Sequence, residues 1–249
     1  MLTRWPLRSY APLVTLPRRP LSWRVFLLRM LQLNVGLVIY GLSVAFMVNA
    51  GIGLGPWDVF HQGLSKLTPL SMGQAMILAG LAILVYSVIG PKVRIGIATV
   101  LNMVLIGVWC DVFLAIPGFP HDMSYAVGVL VFALGTVLCG VATGLYITAG
   151  LGAGPRDGFV LGVAKVTGAK VRTVRTITEL SVFALGWLMG GTVGLGTALF
   201  ALTAGPLMQF FLRVFRGLGS AHTSLEKRIA VGHAGGAAVS ITPTEPTRN

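Results

Sequence analysis

The sequence predicts an all-α, polytopic membrane protein. Three observations carry that expectation: apolar runs of spanning length, a one-sided placement of basic residues, and an internal repeat. Of the 249 residues, 55% are hydrophobic and 10% charged, and the mean hydropathy is +0.83. A soluble domain carries about a quarter charged residues, so this chain is not built to meet water all round. Runs of about 20 apolar residues read as membrane spans. Six can be placed, at 31–50, 74–89, 95–116, 124–149, 174–189 and 195–212.

A net charge of +12 in a soluble chain would suggest nucleic acid as a partner. The placement of the charges points to a membrane instead. Arg4, Arg8, Arg18, Arg19, Arg24 and Arg29 precede the first span, and Lys92 and Arg94 follow the second. Arg156, Lys165, Lys170, Arg172 and Arg175 follow the fourth; Arg213, Arg216, Lys227, Arg228 and Arg248 follow the sixth. With six spans, all 19 Lys and Arg except Lys66 fall on one side. By the positive-inside rule that side is the cytoplasm, which puts both termini there. The basic segments are expected to orient the chain and to touch anionic lipid. The first apolar run is span-length behind a long Arg/Pro-rich stretch, which reads as a retained helix and not as a cleaved signal. The organisation expected is a basic cytoplasmic tail over 1–28, membrane repeats over 29–116 and 124–216, and a mobile cytoplasmic tail over 217–249.

The repeat is legible residue by residue. Gly41, Ala50, Gly51, Gly53, Gly55, Pro56 and Asp58 correspond at constant spacing to Gly140, Ala149, Gly150, Gly152, Gly154, Pro155 and Asp157. With a slip of one residue, Gly96, Thr99, Gly107 and Phe113 correspond to Gly194, Thr197, Gly205 and Phe211. Each copy reads span, GxGPxD segment, span, span. Three spans per copy is an odd number, so the second copy should enter the membrane upside down. Inverted repeats of this kind build many transporters, with the site between the halves near midplane.

The GxGPxD segments spell a helix stop, a sharp turn and a new start. Gly53, Gly55, Gly152 and Gly154 permit the turn. Pro56 and Pro155 suit the first helical position, and Asp58 and Asp157 suit the positive end of the new helix. The helices predicted at 56–67 and 155–166 would be about 18 Å long at 1.5 Å per residue, half a bilayer. They are either re-entrant half-helices or amphipathic helices lying in the interface. In the first, Trp57, Phe60, Leu64 and Leu67 share one face, with Asp58, His61 and Ser65 on another.

At these residues the chain resembles a known group. GLGPWDVFHQGLSKLT paired with GAGPRDGFVLGVAKVTG, followed by VRTITEL and GGTVGLGTALFALTAGPLMQ, is similar to the YczE-like membrane proteins of the YczE/YyaS/YitT group, over about residues 31–216. Pro69 stands where that group carries Gly after the Thr. The resemblance implies a multi-pass protein of the bacterial plasma (inner) membrane and brings no reaction with it.

Ionisable residues inside the apolar segments are expensive and therefore informative. Asp58, His61, Asp157, Glu179 and Arg175 are the candidate substrate- or ion-binding residues. Arg175 and Glu179 are spaced i,i+4 for a pair. Asp58 and Asp157 would meet near the midplane if both half-helices are re-entrant, with a proton or cation between them. Asp111 reads as an interfacial residue; Asn34, Asn49, Asn102 and Tyr146 read as interhelical hydrogen-bonders, and Cys110 and Cys139 as small packing residues. No nucleophile–base pair, metal-ligand spacing or phosphate loop is present in the sequence, so no enzyme, metal or cofactor is expected. The leading expectation is a small-solute transporter or permease, and the alternative is a non-transporting accessory or assembly scaffold. The partners expected are the bilayer, anionic lipid at the basic segments and an unidentified small solute. Homo-oligomerisation is left open, and nucleic acid is not expected.

Overall fold

A computed structural model describes residues 22–91, 96–121, 123–152 and 154–237. The basic residues Arg4, Arg8, Arg18, Arg19, Lys92, Arg94 and Arg248 lie outside them. The described residues form eight helices in order: α1 (Trp23–Ala50), α2 (Pro56–Leu67), α3 (Met72–Ile89), α4 (Ile97–Leu114), α5 (Tyr125–Thr148), α6 (Pro155–Thr167), α7 (Val171–Leu188) and α8 (Leu195–Ala237). Five of these, α1, α3, α4, α5 and α8, are long and apolar enough to cross a membrane. The predicted fifth span coincides with α7, but Arg172, Arg175 and Glu179 on that helix break its apolar stretch. α1 begins at Trp23, and α8 runs from Leu195 to Ala237.

α1 and α5 form the centre and run antiparallel. Gln32 Nε2 donates to Leu145 O and Thr148 Oγ1, both at 2.8 Å. Ser43 Oγ donates to Gly135 O at 2.8 Å, and a Cβ on Gly128 would lie 2.8 Å from Ala50 O. Rising residue numbers on one helix therefore meet falling numbers on the other. Small residues let the backbones approach this closely: a Cβ on Gly36 would lie 3.0 Å from Tyr146 N, and one on Gly135 3.0 Å from Ser43 O. Leu33, Leu37, Val44, Met47, Phe132 and Tyr146 fill the core around that seam. α4 packs on α1, and α8 packs on α5. Gly140 and Gly144 seat Phe211 and Phe215 of α8. Cys110 and Cys139 are buried free thiols in this packing.

The short helices cross over between the copies: α2 packs on α7, and α6 packs on α3. Gly63 and Gly186 bring α2 and α7 into backbone contact, a Cβ on Gly63 falling 2.6 Å from Gly186 O. The backbone N–H of Thr192 donates to Gln62 Oε1 at 2.6 Å, and Lys66 Nζ donates to Gly190 O at 2.8 Å.

Candidate functional site

The two GxGPxD turns are built alike. α1 ends on Gly51 at φ 67° and α5 is followed by Gly150 at φ 68°; Gly53 and Gly152 then adopt φ 115° and 133°. Side chains other than glycine rarely adopt those angles. Each turn docks on the last helix of the other copy. Gly196 N–H donates to Ile52 O at 2.8 Å, and Ala98 N–H donates to Leu151 O at 3.4 Å. A Cβ on Gly53 would meet Gly194 N at 2.6 Å, and one on Gly152 would meet Gly96 Cα at 3.2 Å. Gly55 lies under the ring of Phe200, and Gly154 beside the Asn102 amide oxygen and the Tyr146 hydroxyl.

Pro56 and Pro155 occupy the first positions of α2 and α6, and neither preceding glycine can supply a side-chain cap. The first-turn N–H groups of both helices therefore present a positive helix end. Asp58 and Asp157 lie in those first turns. α2 is turned so that Asp58, Val59, His61 and Gly63 are buried, while Leu67 is exposed. The polar side of the helix faces the protein.

The residues that meet between the copies lie one position before each aspartate. The Arg156 guanidinium carbon sits 4.6 Å from the centroid of the Trp57 ring. Trp57 and Arg156 are equivalent positions of the repeat, so each copy supplies one half of this contact. Arg156 Nη2 lies 3.4 Å from His61 Nε2, and His61 Nδ1 lies 3.5 Å from Asp58 Oδ1. The imidazole is 1% exposed and its Nδ1 makes no hydrogen bond. Asp58, His61 and Arg156 thus form one chain of polar contacts across the two copies.

Asp157 takes a different partner. Arg175 Nη2 approaches Asp157 Oδ1 at 3.9 Å, while Arg175 Nε donates to Glu179 Oε1 at 3.0 Å, the i,i+4 pair. The site residues therefore fall into two groups, one around Asp58 and one around Arg175. Asp111 accepts from the Ser71 hydroxyl and from Gly73 N–H at 2.7 Å, so it ties α4 to the start of α3. Asn34 donates to Met30 O of its own helix and Asn49 to Pro120 O of a loop, where interhelical bonds were expected. Arg156 is the site residue that motif reading passed over. Its alignment with Trp57 in the repeat was the available signal.

Over residues 27–213 the chain matches the model of a family of unknown function, DUF6198. It belongs to that family. The uncharacterized membrane protein YczE of Bacillus subtilis is 38% identical over 178 residues, 71% of this chain and 82% of that protein. An uncharacterized protein of Haemophilus influenzae is 37% identical over 184 residues, 73% of this chain and 82% of the relative. The uncharacterized protein YyaS of Bacillus subtilis is 22% identical over 182 residues, 73% of this chain and 90% of its own length. No solved structure matches. With the apolar helices above, this membership makes the chain a multi-pass membrane protein of the YczE-like group.

Proposed function

We propose that this chain is a small-solute transporter of the bacterial inner membrane, built as two inverted repeats of three spans with both termini cytoplasmic. In this reading α7 is the fifth of six spans, its basic first turns at the cytoplasmic surface, and α2 and α6 are re-entrant half-helices. The antiparallel packing of α1 on α5 and the crossing of each short helix to the other copy support the inverted arrangement. One observation carries the transport reading: equivalent residues Trp57 and Arg156 meet at the two helix starts, beside a buried Asp58–His61 pair. Irregular backbone at membrane depth is tolerated where protein or a water-filled cavity surrounds it. Paired half-helix ends at an inverted-repeat interface are a transporter's binding geometry.

The test is access. With the native thiols of Cys110 and Cys139 buried, a cysteine replacing Trp57 should react with a small impermeant thiol reagent from one side of the membrane at a time. Conditions that shift the transporter between its outward and inward states should switch that side. A position 57 that reacts from neither side has no aqueous pathway, and the scaffold reading would then take precedence.

A further inference from the structure

Resting on the transport reading, we infer that the solute bound between the two helix starts carries a carboxylate, held edge-on by Arg156. The argument begins with donors that lack acceptors. A guanidinium has five N–H donors in a planar fork and no acceptor of its own. Among the described residues, the one acceptor Arg156 meets is His61 Nε2 at 3.4 Å. Its Cζ lies 4.6 Å from the centroid of the Trp57 ring, a contact that supplies no acceptor for the N–H donors.

The carboxylates nearby have other partners. Asp58 lies in the first turn of α2 with His61 Nδ1 at 3.5 Å. Asp157 and Glu179 both approach Arg175, at 3.9 and 3.0 Å. No ion pair joins Arg156 to an acid among the described residues. A half-buried guanidinium in this position calls for an acceptor-rich ligand, and a carboxylate matches its planar fork in bidentate fashion. The starts of α2 and α6 have no side-chain cap and add the positive ends of two helix dipoles, each of which also carries an acid in its first turn.

A second observation points the same way. His61 is 1% exposed, and its Nδ1 makes no hydrogen bond although it is aimed at Asp58. That nitrogen faces Asp58 at 3.5 Å and the other ring nitrogen faces Arg156, so the imidazole stands between the carboxylate and the guanidinium and keeps Asp58 off Arg156. The surroundings limit the ligand's size. The Phe200 ring comes within 2.8 Å of a Cβ position on Gly55, and the Asn102 amide oxygen lies 3.3 Å from that on Gly154. Both helix starts are closely packed, so the ligand tested is a small carboxylate.

The test is calorimetric titration of the purified full chain in lipid nanodiscs with sodium acetate, its neutral isostere acetamide, and sodium phosphate. Acetate should bind saturably, acetamide should not bind, and phosphate should bind more weakly than acetate. Arg156→Gln should abolish the acetate signal. Arg156→Lys, which keeps the charge and loses the fork, should weaken it by about tenfold. Thermal unfolding of both variants checks that they remain folded. Acetate titrations that are flat, or unchanged in a folded Arg156→Gln, overturn the proposal, as does phosphate binding more tightly than acetate. Saturable acetate binding in a protein whose position 57 is closed to thiol reagents from both sides would keep the site and remove the transport reading. Thiol access without acetate binding would do the reverse.

Discussion

The first copy of the repeat is sealed by its last two helices; the second is not. α3 and α4 cross at Gly73 and Gly107, where a Cβ on Gly107 would lie 2.5 Å from Gly73 O, and Asp111 ties the start of α3 to α4. The equivalent glycine in the second copy, Gly205, has nothing within 4 Å of its Cβ position. α7 begins at Lys170 and Arg172, where the first copy has Ser71 and Gly73, and Gln209 stands where the first copy has Asp111. No packing comparable to that of α3 on α4 joins α7 to α8 among the described residues. Ile177, Leu180, Trp187 and Leu188 of α7 are exposed.

The two copies therefore agree where their turns dock on each other and diverge on their outer flanks. Chemistry at the junction also comes from divergence within a shared backbone. The first copy supplies Trp57 and His61, where the second has Arg156 and Val160. A symmetrical scaffold thereby holds an asymmetrical site.

The largest expected effect tests the shared turn. Gly53→Ala forces a side chain into φ 115° and 2.6 Å from Gly194 N, whereas Gly152→Ala, at φ 133°, has 3.2 Å to its nearest neighbour. Strain and overpacking together predict a loss of about 2–5 kcal/mol for the first and about 1–3 for the second. Thermal unfolding in detergent ranks them, and equal losses would mean that the two turns are not packed with different tightness.

The next pair tests the seal. Gly107→Ala should cost about 1–3 kcal/mol by overpacking against Gly73, and Gly205→Ala should be neutral. A destabilising Gly205→Ala would indicate that α7 and α8 close together in the membrane. At the same junction, Asp111→Ala removes the acceptor for Gly73 N–H and should cost about 1 kcal/mol. Gln209→Ala should stay within about 0.5 kcal/mol of the parent. A small effect is also expected for Glu179→Gln. The Arg175–Glu179 pair is substantially exposed and Arg175 keeps Asp157 nearby, so a stability change below about 1 kcal/mol is expected. A loss of solute binding with unchanged stability would give Glu179 a coupling role instead.

Much of this organisation was legible from residue order. Apolar length marked the α1, α3, α4, α5 and α8 segments, and the paired Gly-Pro-Asp strings marked both turns and the starts of α2 and α6. The i,i+4 spacing gave the Arg175–Glu179 pair. Periodicity placed Asp58 and His61 on one face of α2, but it says only which residues share a face. Whether a polar face points inward depends on what lies outside, and around a membrane helix the outside is apolar. The burial of His61 and the meeting of Trp57 with Arg156 are likewise set by the crossing of α2 and α6 between copies. No local pattern encodes that crossing; alignment of the two copies does bring positions 57 and 156 into register.

The central claim is that the two helix starts meet between the copies, and one cross-linking measurement addresses it most directly. With Trp57→Cys and Arg156→Cys in the same chain, a short bifunctional thiol reagent applied to native membranes should join the two positions within one polypeptide. Proteolysis between the copies would then leave the halves connected. The contradicting result is two cysteines that never cross-link while each reacts freely from its own side of the membrane, which would make the Gly-Pro-Asp turns separate surface features.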